Sequence, residues 1–272
     1  MANIGLKIVD RDAEAIAPLV DYSLQTQRPL EIGWYHGNPA ARRLLRAQLT
    51  RTTPKINCHV DQKLGGVLEA QTQQANLIEH IELAQAHGAR YSIIHTGRGP
   101  MSARQSRRPQ LFEALLGQLE IIETLCERFD YAMYIENTFH DLDFYQAWFQ
   151  AIQRRGFKRL HFCFDIGHAH VWSSQPLTEW LGFLQTLQSQ GFRLHFHWHI
   201  NDGLTDQHLS LPEAEARGLL AGDADYLPMG WLAALALLDR HFPASPKVFE
   251  VKSELAIANL QQALTLLGSA KS

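Results

Sequence analysis

Cysteine is scarce in this chain: Cys58, Cys126 and Cys163 stand far apart and form no CxxC pair. An odd, scattered set excludes a disulfide framework and leads to the expectation of a reducing cytoplasm. Long apolar runs are missing as well, none approaching the roughly 18 residues of a membrane span, so no membrane partner is expected. The first residues reach Asp10, Arg11 and Asp12 without an apolar h-region, so no signal peptide is expected. There is no excess of charge of one sign. The formal net charge of −3 gives no global basic field for nucleic acid, although a local basic patch stays open. Low-complexity segments and long linkers are lacking, and one domain over 1–272 is the expected organisation.

What is abundant is histidine, with 14 residues, and the densest run is His195-Phe196-His197-Trp198-His199-Ile200-Asn201-Asp202, followed by Asp206-Gln207-His208. Imidazoles at i, i+2 and i+4 of a strand share one face. Grouped with carboxylates and buried, they need a proton or a metal to be tolerated.

Short β-like runs alternate with longer helical ones. The candidate strands are Leu6–Val9, Leu30–Trp34, Ile56–Val60, Tyr91–His95, Ala132–Glu136, Leu160–Asp165, Leu194–Ile200 and Val248–Val251. Between them, Gln110–Arg128 carries apolar residues at Leu111, Leu115, Leu119, Ile122 and Leu125, a helical spacing. Trp231–Leu238 reads as a short apolar helix, and Leu211–Leu220 as a short helix inside the irregular stretch Leu204–Pro228. Eight βα units in this length predict an α/β fold, a parallel eight-stranded (β/α)8 TIM barrel. A doubly wound open sheet is the alternative, but no GxGxxG follows the first strand.

In such a barrel, chemistry sits at the C-terminal strand ends. The third to eighth strands end at His59, His95, Glu136, Asp165, His199 and Glu250, with Asn137, His168 and Asp202 close behind. Six polar strand ends at one height argue for a shared site, and its carboxylates would repel one another without a cation. Mixed His and carboxylate ligands without thiolate suit Zn, Mn, Fe or Co. His161, His195 and His197 lie deeper and are read as lining residues. His36, His80, His87, His140 and His241 are read as loop or helix-surface residues.

These residues resemble the xylose-isomerase-like barrels, the superfamily (AP endonuclease family 2) that holds sugar isomerases and epimerases together with endonuclease IV. Ile135-Glu136-Asn137-Thr138 is similar to the Glu-Asn-Thr strand end of the endonuclease IV branch. Asp165-Ile-Gly-His168-Ala169 resembles its Asp-x-x-His-Ala, His199-Ile-Asn-Asp202 its His-Leu-Asn-Asp, and Asp206-Gln-His208 its Asp-x-His. The resemblance implies up to three divalent ions, with zinc as the expected metal. His59, His95 and Glu136 would hold one. Glu136, Asp165, His199 and Glu250 would hold a second, and His168, Asp206 and His208 a third. Sugar epimerases of the superfamily typically use only the second set. The chain departs from endonuclease IV in its substrate loops. Gln62 stands where that family has a DNA-contacting Tyr, and Ser210–Ala221 replaces the Gly-Glu-Gly after Asp-x-His.

Three functions follow. The first is hydrolysis of a phosphoester, abasic DNA among the candidates. Glu136 would bridge two ions, and Glu250 would ligate and steer or deprotonate the attacking water. Arg98, Arg104, Arg107 and Arg108 after the fourth strand, and Arg42, Arg43, Arg46 and Arg51 after the second, are candidate phosphate contacts. The second is one-metal isomerisation or epimerisation of a sugar or sugar phosphate. Glu136 and Glu250 would shuttle the proton, His168 would touch the substrate, and Trp34 would pack on the sugar ring. The third is a metal-holding barrel without catalysis. The expected substrate contacts are Trp34, Arg98, Arg107, Asn137 and Asp202.

Overall fold

The computed structural model describes residues 3–11, 13–49, 55–61, 63, 65–102 and 104–269; Arg51 and Gln62 lie outside them. The strands are β1 (Ile4–Val9), β2 (Leu30–Gly33), β3 (Ile56–His59), β4 (Tyr91–His95), β5 (Ala132–Glu136), β6 (Leu160–Asp165), β7 (Leu194–Trp198) and β8 (Lys247–Phe249). They pair in parallel in chain order, and β8 returns to β1, giving a closed eight-stranded barrel. The expected (β/α)8 fold is therefore the observed one.

The helices, in chain order, begin with α1 (Ala13–Thr26), α2 (Pro39–Gln48), α3 (Gln74–Ala86), α4 (Arg108–Arg128) and α5 (Leu142–Arg155). They continue with α6 (Ile166–Trp172), α7 (Leu177–Ser189), α8 (Leu211–Ala216), α9 (Trp231–His241) and α10 (Ser253–Ser269). Local chemistry explains several boundaries. Asn38 caps α2 by accepting from the N–H groups of Ala40 and Ala41. Ser210 and Glu213 form a reciprocal capping box on α8. That helix stops at Ala216, short of the Leu220 expected, because Gly218 takes the left-handed conformation (φ 71°) just beyond it. β7 ends two residues earlier than expected, because Ile200 leaves the ladder and pairs antiparallel with Leu209.

The apolar core lies between the outer strand faces and the helices, with Trp148, Trp180, Trp198 and Trp231 fully buried in it. Inside the barrel, apolar packing among the described residues is confined to Ile93, Ala132, Tyr134 and Cys163, with Tyr91 against them. The inward positions of β1, β2, β3 and β7 carry Lys7, Glu31, Asn57, His195 and His197 instead. The barrel is thus filled largely by polar groups that must satisfy one another.

Two histidines are not where the sequence reading put them. His80 is buried on the inner side of α3 beside Leu77, Ile81 and Ala84, and bonds the Ser92 hydroxyl on β4 at 2.7 Å. His87 ends α3 buried against Trp34, ring centroids 4.9 Å apart. The apolar stripe of α3 runs through both positions, so its inner face takes imidazoles into the core. His36 and His241 are exposed as expected, and His140 is half-buried. Among the described residues no helix is long and apolar enough to cross a membrane.

Candidate metal centre

The strand ends bring the nine expected ligands together at the C-terminal mouth of the barrel. Glu136, at the end of β5 and fully buried, is the hub. Its Oε2 lies 3.0 Å from His59 Nε2 and 2.9 Å from His95 Nε2, and its Oε1 lies 3.3 Å from His168 Nδ1. Asp165 Oδ2 and His199 Nδ1 are 3.2 Å apart, both buried and neither in hydrogen-bond geometry with anything. Asp206 reaches in from the loop after β7. It lies 2.9 Å from His199 Nε2, 3.2 Å from His208 Nε2 and 3.4 Å from His168 Nε2.

Three imidazoles are oriented by the main chain. His59 Nδ1 lies 2.8 Å from the Val60 carbonyl, His168 Nδ1 2.9 Å from that of Asn137, and His208 Nδ1 3.0 Å from that of Glu250. Each carbonyl can only accept, so each Nδ1 carries a proton and donates, which leaves Nε2, facing a carboxylate, as the atom that would meet an ion. This is how metal-binding imidazoles are held in other proteins. His208 adopts a left-handed backbone (φ 51°), a strained conformation for a non-glycine residue, and the strain points its ring over His199. Gly167 leaves room for His199, since a Cβ there would come 2.1 Å from His199 Nε2.

Four residues that the sequence reading left out of the centre also belong to it. Lys7, Glu31, Tyr35 and His197 line its floor. Lys7 contacts Glu250 and lies 3.3 Å from Glu31. His197 joins Glu31 to Glu136 and Glu250, and so is more than a lining residue. Tyr35 folds back inside, its ring 5.6 Å from that of His59 and edge-on. Gly33 permits this, because a Cβ there would lie 2.7 Å from the Tyr35 ring. The clue in the sequence was a Lys and a Glu at alternate positions of two otherwise apolar strands.

Electrostatics follow from burial and crowding. Five carboxylates (Glu31, Glu136, Asp165, Asp206 and Glu250) share the centre with Lys7. Burial opposes ionisation of Glu136 and Glu250. The surrounding His95, His197 and Lys7 outweigh it and hold both carboxyls well below the usual range. Burial likewise opposes the imidazolium of His168 and of His199. Asp165 and Asp206 prevail and raise them to about 9 and about 10. A cluster that draws protons onto its histidines in this way is one that a divalent cation would relieve. Among the described residues, ligand atoms approach one another within 4.8 Å in five groupings: His168, His199, Asp206 and His208; His59, Glu136, His197 and Glu250; Glu136, Asp165 and His168; Asp165, His199 and Glu250; and, deeper in the barrel, Cys163, His195 and His197. The two bare buried atoms, Asp165 Oδ2 and His199 Nδ1, together with this donor set, fit a metal.

The expected substrate contacts divide. Asn137 lies under the centre, its side chain donating to the Asp165 carbonyl and accepting from the Asp165 N–H. Asp202 turns away and folds its own loop, accepting from the Leu204 and Thr205 N–H groups and from Gln207. Trp34 is buried behind β2 against Cys58 and His87, with the Arg42 guanidinium over its ring at 5.7 Å. There it lines a cavity of about 320 Å³, shared with Tyr35, Arg42, Asp61, Asn76 and Glu79. Tyr35, not Trp34, is the aromatic ring against the centre. Arg98, Arg104 and Arg107 are exposed on the β4–α4 connection, while Arg108 pairs with Asp141 at 3.5 Å. Arg43 and Arg46 are exposed on α2.

A family model described as xylose isomerase-like TIM barrel matches residues 26–265. No curated protein matches the sequence. Among solved structures, the TTHB071 protein from Thermus thermophilus, soaked with ZnCl2, is 18% identical with 98% of each chain covered and a TM-score of 0.71. A D-tagatose 3-epimerase-like protein is 16% identical, with both chains covered at 100% and a TM-score of 0.67. The 3-keto-D-glucoside 4-epimerase YcjR from E. coli is 14% identical, with 99% of this chain and 100% of that one covered and a TM-score of 0.63. At these identities the likeness is one of fold.

Proposed function

This chain belongs to the xylose isomerase-like TIM barrel family, and on that premise we propose that it is a multinuclear metal enzyme that hydrolyses a phosphoester. The observation that carries the reading is Asp206. Its carboxylate gathers His168, His199 and His208 into a ligand group beside the one that Glu136 makes with His59 and His95, and together they offer more donors than one ion can use. Divalent ions held there, zinc before Mn, Fe or Co, would acidify a water and offset the charge that develops on the phosphoryl oxygens.

The chain's own residues supply the rest. Glu136 fixes His59, His95 and His168 around one carboxylate. Lys7 holds Glu250 through Oε1 and leaves Oε2, which faces His208 at 3.5 Å, to accept a proton from the attacking water. Asp206 and His208 are each about one-third exposed, so the open side of the centre is theirs and the ester enters past them. Arg98, Arg104 and Arg107 project from the neighbouring rim and suit an anionic substrate. With Gln62 in place of the DNA-contacting Tyr, a small phosphorylated substrate is preferred to abasic DNA. The protein acts in the cytoplasm as one domain.

A second reading, a one-metal isomerase or epimerase of a sugar or sugar phosphate, is favoured by the epimerase names among the structural neighbours. One experiment separates the two. Protein purified without chelator is analysed for metal, then assayed on abasic DNA, phosphodiesters and phosphorylated sugars beside a Glu136→Gln control. Near three ions per chain with Glu136-dependent ester cleavage is expected. One ion per chain, with no cleavage above the control and with ketose interconversion, would overturn it.

A further inference from the structure

His197 is fully buried on β7, one layer below the strand ends, and the resemblance to endonuclease IV gives it no role. Both of its nitrogens face carboxylates. Nε2 lies 3.0 Å from each oxygen of Glu31. Nδ1 lies 2.9 Å from Glu250 Oε1 and 3.1 Å from Glu136 Oε1. Glu31 is itself held by Asn57, Lys7 and His195, so it is a fixed acceptor and settles the proton of His197 on Nε2. The lone pair of Nδ1 is then aimed at two carboxylate oxygens, an arrangement that a cation between them resolves.

We propose that His197 binds a metal ion through Nδ1, completing with His59, Glu136 and Glu250 a four-donor site on the barrel floor. The proposal rests on the reading of this centre as a metal centre. Its support is geometric. The four donors lie within 4.8 Å of one another. Around a tetrahedral ion with bonds of about 2.0–2.1 Å, neighbouring donors stand about 3.3 Å apart. The pairs His197 Nδ1–Glu136 Oε1 and His197 Nδ1–Glu250 Oε1 stand at 3.1 and 2.9 Å, short of that edge by a few tenths, while His59 Nε2 faces the other Glu136 oxygen, Oε2, at 3.0 Å. The ring of His59 lies nearly parallel to that of His197, centroids 5.7 Å apart, and the two imidazoles meet the two oxygens of the same Glu136 carboxylate. The carboxylate–imidazole–metal order Glu31–His197–ion mirrors what backbone carbonyls do for His59, His168 and His208. The competing arrangement is metal-free, with the Lys7 ammonium and a doubly protonated His197 neutralising Glu136 and Glu250 by themselves.

The test loads chelator-stripped protein with Co(II) and reads ions per chain, affinity by competition, and the visible Co(II) spectrum. It compares wild type with His197→Gln, Glu31→Gln and, as control, His241→Gln, an exposed histidine remote from the centre. The expected result is loss of one ion or a tenfold or larger fall in its affinity in His197→Gln, and a fall of about 10–100-fold in Glu31→Gln, the size seen for groups that orient a metal-bound imidazole. The control should match wild type. Should His197→Gln fail to fold, wild type labelled with 15N-histidine and loaded with 113Cd must show coupling to the Nδ1 resonance of His197. An unchanged complement and spectrum in His197→Gln, or no coupling at that Nδ1, overturns the proposal while the metal centre stands. No metal bound by wild type overturns both.

Discussion

The imidazole of His208 lies flat on that of His199, ring centroids 3.9 Å apart and planes 17° from parallel, and both rings turn a nitrogen toward Asp206. One ring comes from the end of a barrel strand and the other from a strained loop position beyond it. The stack is therefore the joint between the part of the centre built on the sheet and the part built on a loop.

Removing the loop side should show which chemistry the centre performs. Asp206→Ala/His208→Ala is expected to lose one metal ion and to lower ester cleavage about 100-fold or more, with far-UV circular dichroism unchanged. Full cleavage activity in that variant, with one ion per chain, would sink the hydrolase reading.

Gly167→Ala should act through space. The added Cβ meets the His199 ring at 2.1 Å, so the ring must move off Asp165 and Asp206. Metal affinity, read by competition with a chromophoric chelator, is expected to fall at least about tenfold with little change in helix content. Unaltered affinity would mean that His199 is not a ligand.

Chelation should lower thermal stability. Ions bound only by the folded chain stabilise it by about 4 kcal/mol when free metal is a thousand times Kd. At roughly 2–4 °C per kcal/mol for a chain of this size, stripping the metal should drop Tm by roughly 10 °C. A calorimetric scan with and without chelator reads this, and coincident transitions would refute it.

Outside the centre, His80 predicts a pH dependence. Burial pushes its imidazole down to about 3, while the unfolded chain takes up the proton near 6.5. Between these values the unfolded state binds one more proton, so the contribution is complete above pH 6.5 and is lost as pH falls, at about 1.4 kcal/mol per pH unit. His80→Gln, which can still bond Ser92, should flatten the denaturant midpoint between pH 6.5 and 4. Parallel pH curves for the two proteins would count against it.

Much of this was legible in the sequence because a parallel barrel strand announces itself twice, by an apolar run and by a polar residue where the run stops. Glu136, Asp165 and His95 each end a strand in both the reading and the structure. Lys7 and Glu31 escaped because period-two alternation separates two faces without saying which one looks inward, and His197, read as lining the barrel, escaped because it lies a layer below the strand ends. A lone charged residue in a short strand reads as solvent-facing until the ring closes. Trp34 and Tyr35 show the same ambiguity one residue apart: the first faces the helices and the second the centre.

Tyr35 is a wall with two sides. One side borders the cavity shared with Arg42, Asp61, Asn76 and Glu79, and the other bears edge-on on His59. Whatever occupies that cavity and whatever His59 holds must agree on the position of a single ring. An occupant that displaced the ring would link the two sites, and each occupancy would then change the affinity of the other by the same factor.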